Sequence, residues 1–182
     1  LEDWSYSIEV DDIGNVYTAG CFYGISDFDP NNGIYNLVSA GSSDIFISKL
    51  DVNGDLVWAK SIGGTGHQKA YRIALDNYGN VYTTGYSYGT ADFDPNVGTF
   101  YLTDVTTDCF ISKLDTAGNF VWAKSFDGSN ISNSASTGTG ILTDAFGNVY
   151  TTGFFYQTVD FDPNSGIYDL ITGTQMQIFL SK

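Results

Sequence analysis

Basic residues are scarce in this chain: 7 Lys and Arg stand against 21 Asp and Glu over 182 residues, leaving a formal net charge of −14. Nucleic-acid binding needs clusters of Lys and Arg to meet phosphates, so this balance argues against it. It argues equally against electrostatic attachment to anionic lipid. It leaves room for cations, although an acidic surface also serves solubility. No stretch approaches the run of about 20 apolar residues that a membrane helix requires, so membrane insertion is not expected. Only 2 cysteines occur, Cys21 and Cys109, in unlike contexts and without metal-type spacing, and nothing in the sequence supports pairing them. There is 1 histidine, His67, in a Gly-rich setting. It reads as a surface loop residue, and a single loop histidine offers no Ser–His–Asp logic. No phosphate-cradling Gly loop opens a helix. No leader peptide is visible, and Leu1-Glu2-Asp3-Trp4 already falls inside the repeat pattern described next, so a leader is expected to lie outside this segment or to have been removed.

Aromatic residues and glycine are plentiful: 13 Tyr, 13 Phe and 21 Gly. This composition favours strands joined by tight turns. Repetition then sets the fold. Gly-Asn-Val-Tyr recurs at Gly14–Tyr17, Gly79–Tyr82 and Gly147–Tyr150, a period of 65 and then 68 residues. Asp-Phe-Asp-Pro-Asn recurs in step at Asp27–Asn31, Asp92–Asn96 and Asp160–Asn164. Phe-Ile-Ser-Lys stands at Phe46–Lys49 and Phe110–Lys113, with Phe-Leu-Ser-Lys at Phe179–Lys182, and Val-Trp-Ala-Lys-Ser at Val57–Ser61 and Val121–Ser125. The length differences fall between Leu102 and Phe110 and in the Ser- and Asn-rich stretch 127–136, which marks the blocks as strands and the gaps as loops.

The middle unit shows the reading in full. Tyr71–Asp76 alternates with period two, as a strand does. Residues 77–80 make a turn, Val81–Tyr88 a second strand, Cys109–Leu114 a third, 115–119 a hairpin with Gly118 available for positive φ, and Phe120–Phe126 a fourth. A small extra hairpin sets Ala91–Asp94 against Thr99–Leu102. A four-stranded antiparallel unit repeated in this way is a propeller blade. The expected fold is therefore all-β, a partial β-propeller of four-stranded antiparallel blades with a little under three blades present. The blades are expected at 1–66, 67–134 and 135–182, the last lacking its outermost strand. One blade cannot cover both of its faces, so most aromatic residues are expected to pack between blades. Propellers close with about four to eight blades. Further blades of the same chain, or other copies of it, are the first partners expected.

The ordered blocks Ile-Ala-Leu-Asp-x-x-Gly-Asn-Val-Tyr-x-Thr-Gly, Asp-Phe-Asp-Pro, Phe-Ile-Ser-Lys-Leu-Asp and Gly-Asn-x-Val-Trp-Ala-Lys-Ser resemble the SBBP β-propeller repeat over essentially the whole chain. The resemblance implies a propeller from a secreted or surface-exposed bacterial protein of the Bacteroidetes type, hence an extracellular or cell-surface location. It supplies no catalytic residues.

The Asp-Phe-Asp-Pro-Asn-x-Gly motif is the one repeated block that could carry chemistry. Its oxygens come from Asp27, Asp29 and Asn31, from Asp92, Asp94 and Asn96, and from Asp160, Asp162 and Asn164. Calcium takes six to eight oxygens in a flexible array, and the Asp-x-Asp-x-Asn spacing is similar to the opening of several calcium loops. It departs from an EF-hand loop, since Gly falls one position late and no Glu follows at position twelve. The same residues also suit a β-turn: Asp accepts local hydrogen bonds, Pro fixes φ, and Gly takes the left-handed position, with Phe93 buried opposite Asp92 and Asp94. Calcium binding and turn chemistry both remain open on the sequence. Lys49, Lys113 and Lys182 fall in third strands and Lys60 and Lys124 in fourth strands, where the default role is to discourage sheet-to-sheet pairing. Near-uniform repetition without a unique polar cluster points to a non-enzymatic extracellular scaffold, adhesion or protein-interaction module. The alternatives are a calcium-dependent module for surface proteins or glycans, and part of a propeller hydrolase or lyase whose active site lies elsewhere.

Overall fold

The computed structural model describes residues 2–127, 134–173 and 175–182. The insertion expected over 127–136 therefore lies largely outside the described residues. The first sheet contains β1 (Trp4–Val10), β2 (Val16–Phe22), β5 (Asp44–Leu50) and β6 (Leu56–Gly64), all antiparallel, with a short ribbon of β3 (Ile25–Asp27) and β4 (Asn36–Val38) between its second and third strands. The second contains β7 (His67–Leu75), β8 (Val81–Asp92), β9 (Tyr101–Leu114) and β10 (Phe120–Phe126). The third contains β11 (Ala135–Thr143), β12 (Val149–Tyr156) and β15 (Gln177–Ser181), with the ribbon β13 (Thr158–Asp160) and β14 (Asp169–Ile171). The fold is all-β, a partial β-propeller.

Two local devices make each sheet. The tight turns follow one pattern, an Asp that opens the turn and a Gly at positive φ three residues later. Gly79 sits at φ 78° and its N–H donates to the Asp76 carbonyl at 2.9 Å. Gly118 does the same against Asp115, at φ 77° and 3.0 Å. A left-handed residue is what a three-residue hairpin loop with a bulge demands. The second device is a bulge in each innermost strand, at Ser5/Ser7, Ala70/Arg72 and Gly138/Gly140. Opposite it stand Gly20, Gly85 and Gly153, where a Cβ would run into the carbonyl of Trp4, Lys69 or Thr137. The glycine that interrupts the Val81–Tyr88 pattern is thus required by close backbone approach.

The middle sheet differs from its neighbours. The second strand and the small hairpin do not separate there: β8 and β9 continue as one long hairpin, with an irregularity at Ser87/Gly89. His67 also departs from the loop position expected of it. It is the first residue of β7 and remains exposed, because the strand begins earlier than its alternating pattern shows.

The sheets share their faces. Tyr17, Ile45, Ile47, Trp58 and Ile62 of the first pack with Ile73, Val81, Phe93, Phe110 and Leu114 of the second in one buried cluster. Cys109 and Phe126 of the second pack with Phe155, Phe161 and Phe179 of the third in another. Outer and inner strands are stitched as well. β6 pairs with β8 at Gly63↔Asp92 and Gly64↔Ala91, and β9 with β11 at Thr107↔Ala135. The innermost strands lie beside one another: Ile73 N–H donates to Ser7 Oγ at 3.2 Å, the Arg72 guanidinium to the Tyr6 carbonyl at 3.2 Å, and Thr143 Oγ1 to the Leu75 carbonyl at 2.8 Å. They enclose an open cavity of about 690 Å³ lined by Tyr6, Ile8, Arg72, Ile73 and Ile141 among others. This is the geometry of sheets fanned round an axis.

Candidate functional site

The Asp-Phe-Asp-Pro-Asn loops are built alike in all three sheets. Asp27, Asp92 and Asp160 each point one carboxylate oxygen across the loop. Asp92 Oδ1 accepts from the N–H of Asp94 at 3.0 Å and of Phe100 at 2.8 Å. Asp27 Oδ1 accepts from Asp29 and Tyr35, and Asp160 Oδ1 from Asp162 and Tyr168. The Tyr35 and Asp29 N–H groups lower the Asp27 pKa. The second carboxylates, Asp29, Asp94 and Asp162, accept from the N–H of Asn31, Asn96 and Asn164. Their other oxygens lie where a Cβ on Gly33, Gly98 or Gly166 would sit. This corrects the expectation that glycine takes the left-handed position here. These three glycines are not at positive φ; the Asp carboxylate needs their space.

Asn96 and Asn164 face the preceding sheet, whereas Asn31 bonds within its own. Lys60 Nζ donates to Asn96 Oδ1 at 2.8 Å, and Lys124 Nζ to Asn164 Oδ1 at 3.1 Å. Asn31 donates from Nδ2 to Asp55 Oδ1 at 2.9 Å. A lysine ammonium on two of the three asparagine oxygens opposes a metal cation there, since like charges repel at that range. Phe93 is buried between Asp92 and Asp94, and its ring lies 5.1 Å from Phe110.

The lysines do more than guard edges. Lys49, Lys113 and Lys182 lie over the rings of Tyr17, Tyr82 and Tyr150 at 4.9, 4.9 and 5.3 Å. Those tyrosines belong to the Gly-Asn-Val-Tyr blocks, and their hydroxyls donate to Asp11, Asp76 and Asp144 at 3.2, 3.1 and 3.0 Å. The same aspartates accept from the side chains of Asn15, Asn80 and Asn148. The Asn148 side chain is the largest influence on Asp144 and, with the backbone and Tyr150 bonds, holds its pKa near about 2. Burial raises the Asp76 pKa, but hydrogen bonds from Asn80, Tyr78 and Tyr82 outweigh it and the net direction is down. Pairing of third-strand lysines with second-strand tyrosines follows from strand register, which sequence spacing alone does not display.

Cys21 and Cys109 are both buried and unpaired by a disulfide. Burial pushes the Cys109 thiol up to about 12, which removes it as a nucleophile. His67 lines a cavity of about 470 Å³ with Tyr23, Lys69, Tyr86, Tyr88 and Thr107, on the first and second sheets. Its polar and aromatic lining suits stacking and hydrogen bonding to a ligand. A group of carboxylates that the motif reading did not reach, Asp104, Asp108 and Asp127, converges beside the third sheet. Its one sequence signal is Asp127, which follows Val-Trp-Ala-Lys-Ser-Phe where the first repeat has Gly63 after Val-Trp-Ala-Lys-Ser-Ile.

Residues 57–94 match the family model for the SBBP beta-propeller repeat. The match runs from the fourth strand of the first sheet through the Asp-Phe-Asp block of the second. An uncharacterized WD repeat-containing protein of Acanthamoeba polyphaga mimivirus is 32% identical over 98 residues, which is 48% of this chain and 7% of that protein. The two similarities agree with the sheets in pointing to propeller-type repeats. The chain spans only a small part of the length of this curated relative.

Proposed function

We propose that the chain is a non-enzymatic scaffold or protein-interaction module of a bacterial protein, displayed outside the cell or on its surface, with adhesion as its use. One observation carries the interaction reading. Ile45 and Ile47 of the first sheet are 0% exposed because the second sheet covers them, whereas the repeat-equivalent Ile178 and Leu180 of the third are 85% and 77% exposed. An apolar face whose equivalent is fully covered elsewhere in the same molecule is built to be covered. The best occupant is another blade of the same kind, from the same chain or another copy. The repeated polar side chains support the non-enzymatic part, since they serve turns and blade-to-blade bonds.

Sedimentation velocity over a range of concentrations tests the interaction reading. The chain is expected to self-associate, and Ile178→Asp/Leu180→Asp to abolish the association. A wild-type chain that sediments as a monomer throughout, like the variant, counts against it. Protease shaving of intact producing cells tests the location, and protection of the chain from protease would contradict surface display. A turnover abolished by one substitution in this segment would overturn the non-enzymatic assignment.

A second reading, ligand or glycan binding, is favoured by the Tyr23, Tyr86 and Tyr88 cavity, because sugar rings stack on exposed aromatic faces. Saturation-transfer NMR with simple oligosaccharides tests it. Signal lost in Tyr88→Ala supports the reading, and no transfer from any sugar removes it.

A further inference from the structure

We infer that Asp104, Asp108 and Asp127 form a binding site for one divalent cation, with calcium the best fit, at the border between the second and third sheets. One carboxylate oxygen from each lies within 4.8 Å of the others. Calcium–oxygen distances are about 2.3–2.6 Å, so oxygens on opposite sides of the ion stand up to about 5 Å apart. The three therefore fit one coordination sphere.

A cluster of acids alone would not carry this, but Asp104 adds an independent observation. It is only 4% exposed, and among the described residues neither of its oxygens has a partner in hydrogen-bond geometry. Beside it the fully buried Ser87 hydroxyl is its nearest donor and favours the carboxylate, but stands outside hydrogen-bond geometry and leaves both oxygens without a well-formed bond. Buried polar groups in folded proteins are almost always satisfied, and an orphan carboxylate calls for an occupant. By contrast, Asp108 Oδ1 accepts from Thr106 Oγ1 at 2.9 Å and Asp127 Oδ1 from Ser125 Oγ at 2.7 Å, bonds that fix how these two carboxylates are presented.

The site departs from the repeat, which separates it from the architectural aspartates. Asp108 aligns with Asp44 of the first sheet, since each immediately precedes the residue before Phe-Ile-Ser-Lys. Asp44 faces Gly63, and Asp127 occupies the position equivalent to that glycine. Asp104 lies between Leu102 and Phe110, where the repeat lengths differ. Thus a single buried aspartate in the first sheet becomes three converging carboxylates in the second. The Asp127 carbonyl also accepts from Asp160 N–H at 2.9 Å, so a cation here would brace the junction with the third sheet.

Calorimetric titration of the chelator-stripped chain with calcium chloride tests this inference. The expected result is one saturable site, weakened at least tenfold in Asp104→Asn and retained in Asp94→Asn. Asp127→Gly restores the residue found at the equivalent position of the first repeat and keeps the test decisive if Asp104→Asn does not fold. It too is expected to weaken binding at least tenfold. No calcium heat in the wild-type chain overturns the inference. So does undiminished binding in a folded Asp104→Asn or Asp127→Gly variant, or binding lost in Asp94→Asn while Asp104→Asn retains it.

Discussion

Lys113 Nζ lies 4.9 Å above the centre of the Tyr82 ring and 3.7 Å from Asp76 Oδ2, the oxygen that accepts the Tyr82 hydroxyl proton at 3.1 Å. One ammonium thus holds a ring and a carboxylate that already hold each other. The lysine-over-tyrosine and tyrosine-to-aspartate contacts recur as Lys49–Tyr17–Asp11 and Lys182–Tyr150–Asp144 at the turn end of each sheet. They tie the turn between first and second strands to the third strand.

Replacing that ammonium with an isosteric apolar chain isolates its contribution. Lys113→Met is expected to lower stability by about 1 kcal/mol, the scale of a cation–π contact that still meets solvent. Urea denaturation followed by Trp fluorescence measures it. Unchanged stability would mean the stacked lysine contributes nothing beyond its stem.

The glycine of the Asp-Phe-Asp-Pro loop is predicted to be a matter of room. A Cβ on Gly98 would overlap Asp94 Oδ2. Gly98→Ala is expected to destabilise by about 1–3 kcal/mol, the range for overpacking a fixed site. Adding Asp94→Ala should recover part of that loss, because neighbouring substitutions couple. Strict additivity of the two in a double-mutant cycle would refute the steric account.

Acid should loosen the turns. Asp11, Asp51, Asp76, Asp115 and Asp144 all have pKa values lowered in the folded chain by hydrogen bonds that outweigh burial. Unfolded aspartates take up protons near pH 4, whereas folded Asp144 does so only near about 2. Across that interval the unfolded state binds more protons, so stability is full above about pH 4 and is lost as pH falls toward 2. Melting temperature against pH should show this fall. Asn148→Ala should raise the Asp144 pKa, read by carboxyl NMR titration, and an unmoved titration would contradict the assignment.

Cys109 is predicted to be inert in the folded chain. It is fully buried, with its thiol raised to about 12. Ellman's reagent should modify it only on unfolding, and rapid labelling under native conditions would show the interface to be open.

Much of the fold is legible in the sequence. Gly-Asn-Val-Tyr, Phe-Ile-Ser-Lys and Val-Trp-Ala-Lys-Ser mark strands because period-two alternation and turn residues act locally. Register is not local, so sequence spacing presents the lysines over Tyr17, Tyr82 and Tyr150 only as edge residues. The loop glycines Gly33, Gly98 and Gly166 look like left-handed turn residues in sequence because composition does not distinguish a positive φ from a position crowded by a carboxylate. The Asp104 group lay hidden for a different reason. It arises where the second repeat departs from the others, and motif reading looks for what recurs.

The central claim is that each sheet is covered by the next, and Phe126 tests it most directly. It is 2% exposed, lies on β10 of the second sheet, and packs 5.0 Å from Phe161 and 5.7 Å from Phe179 of the third. Phe126→Ala is expected to remove about 3–5 kcal/mol. Under native-state hydrogen exchange the account predicts faster exchange of amides in β12 and β15 of the third sheet as well as in β10. Faster exchange confined to the second sheet, with β12 and β15 as protected as before, would contradict it.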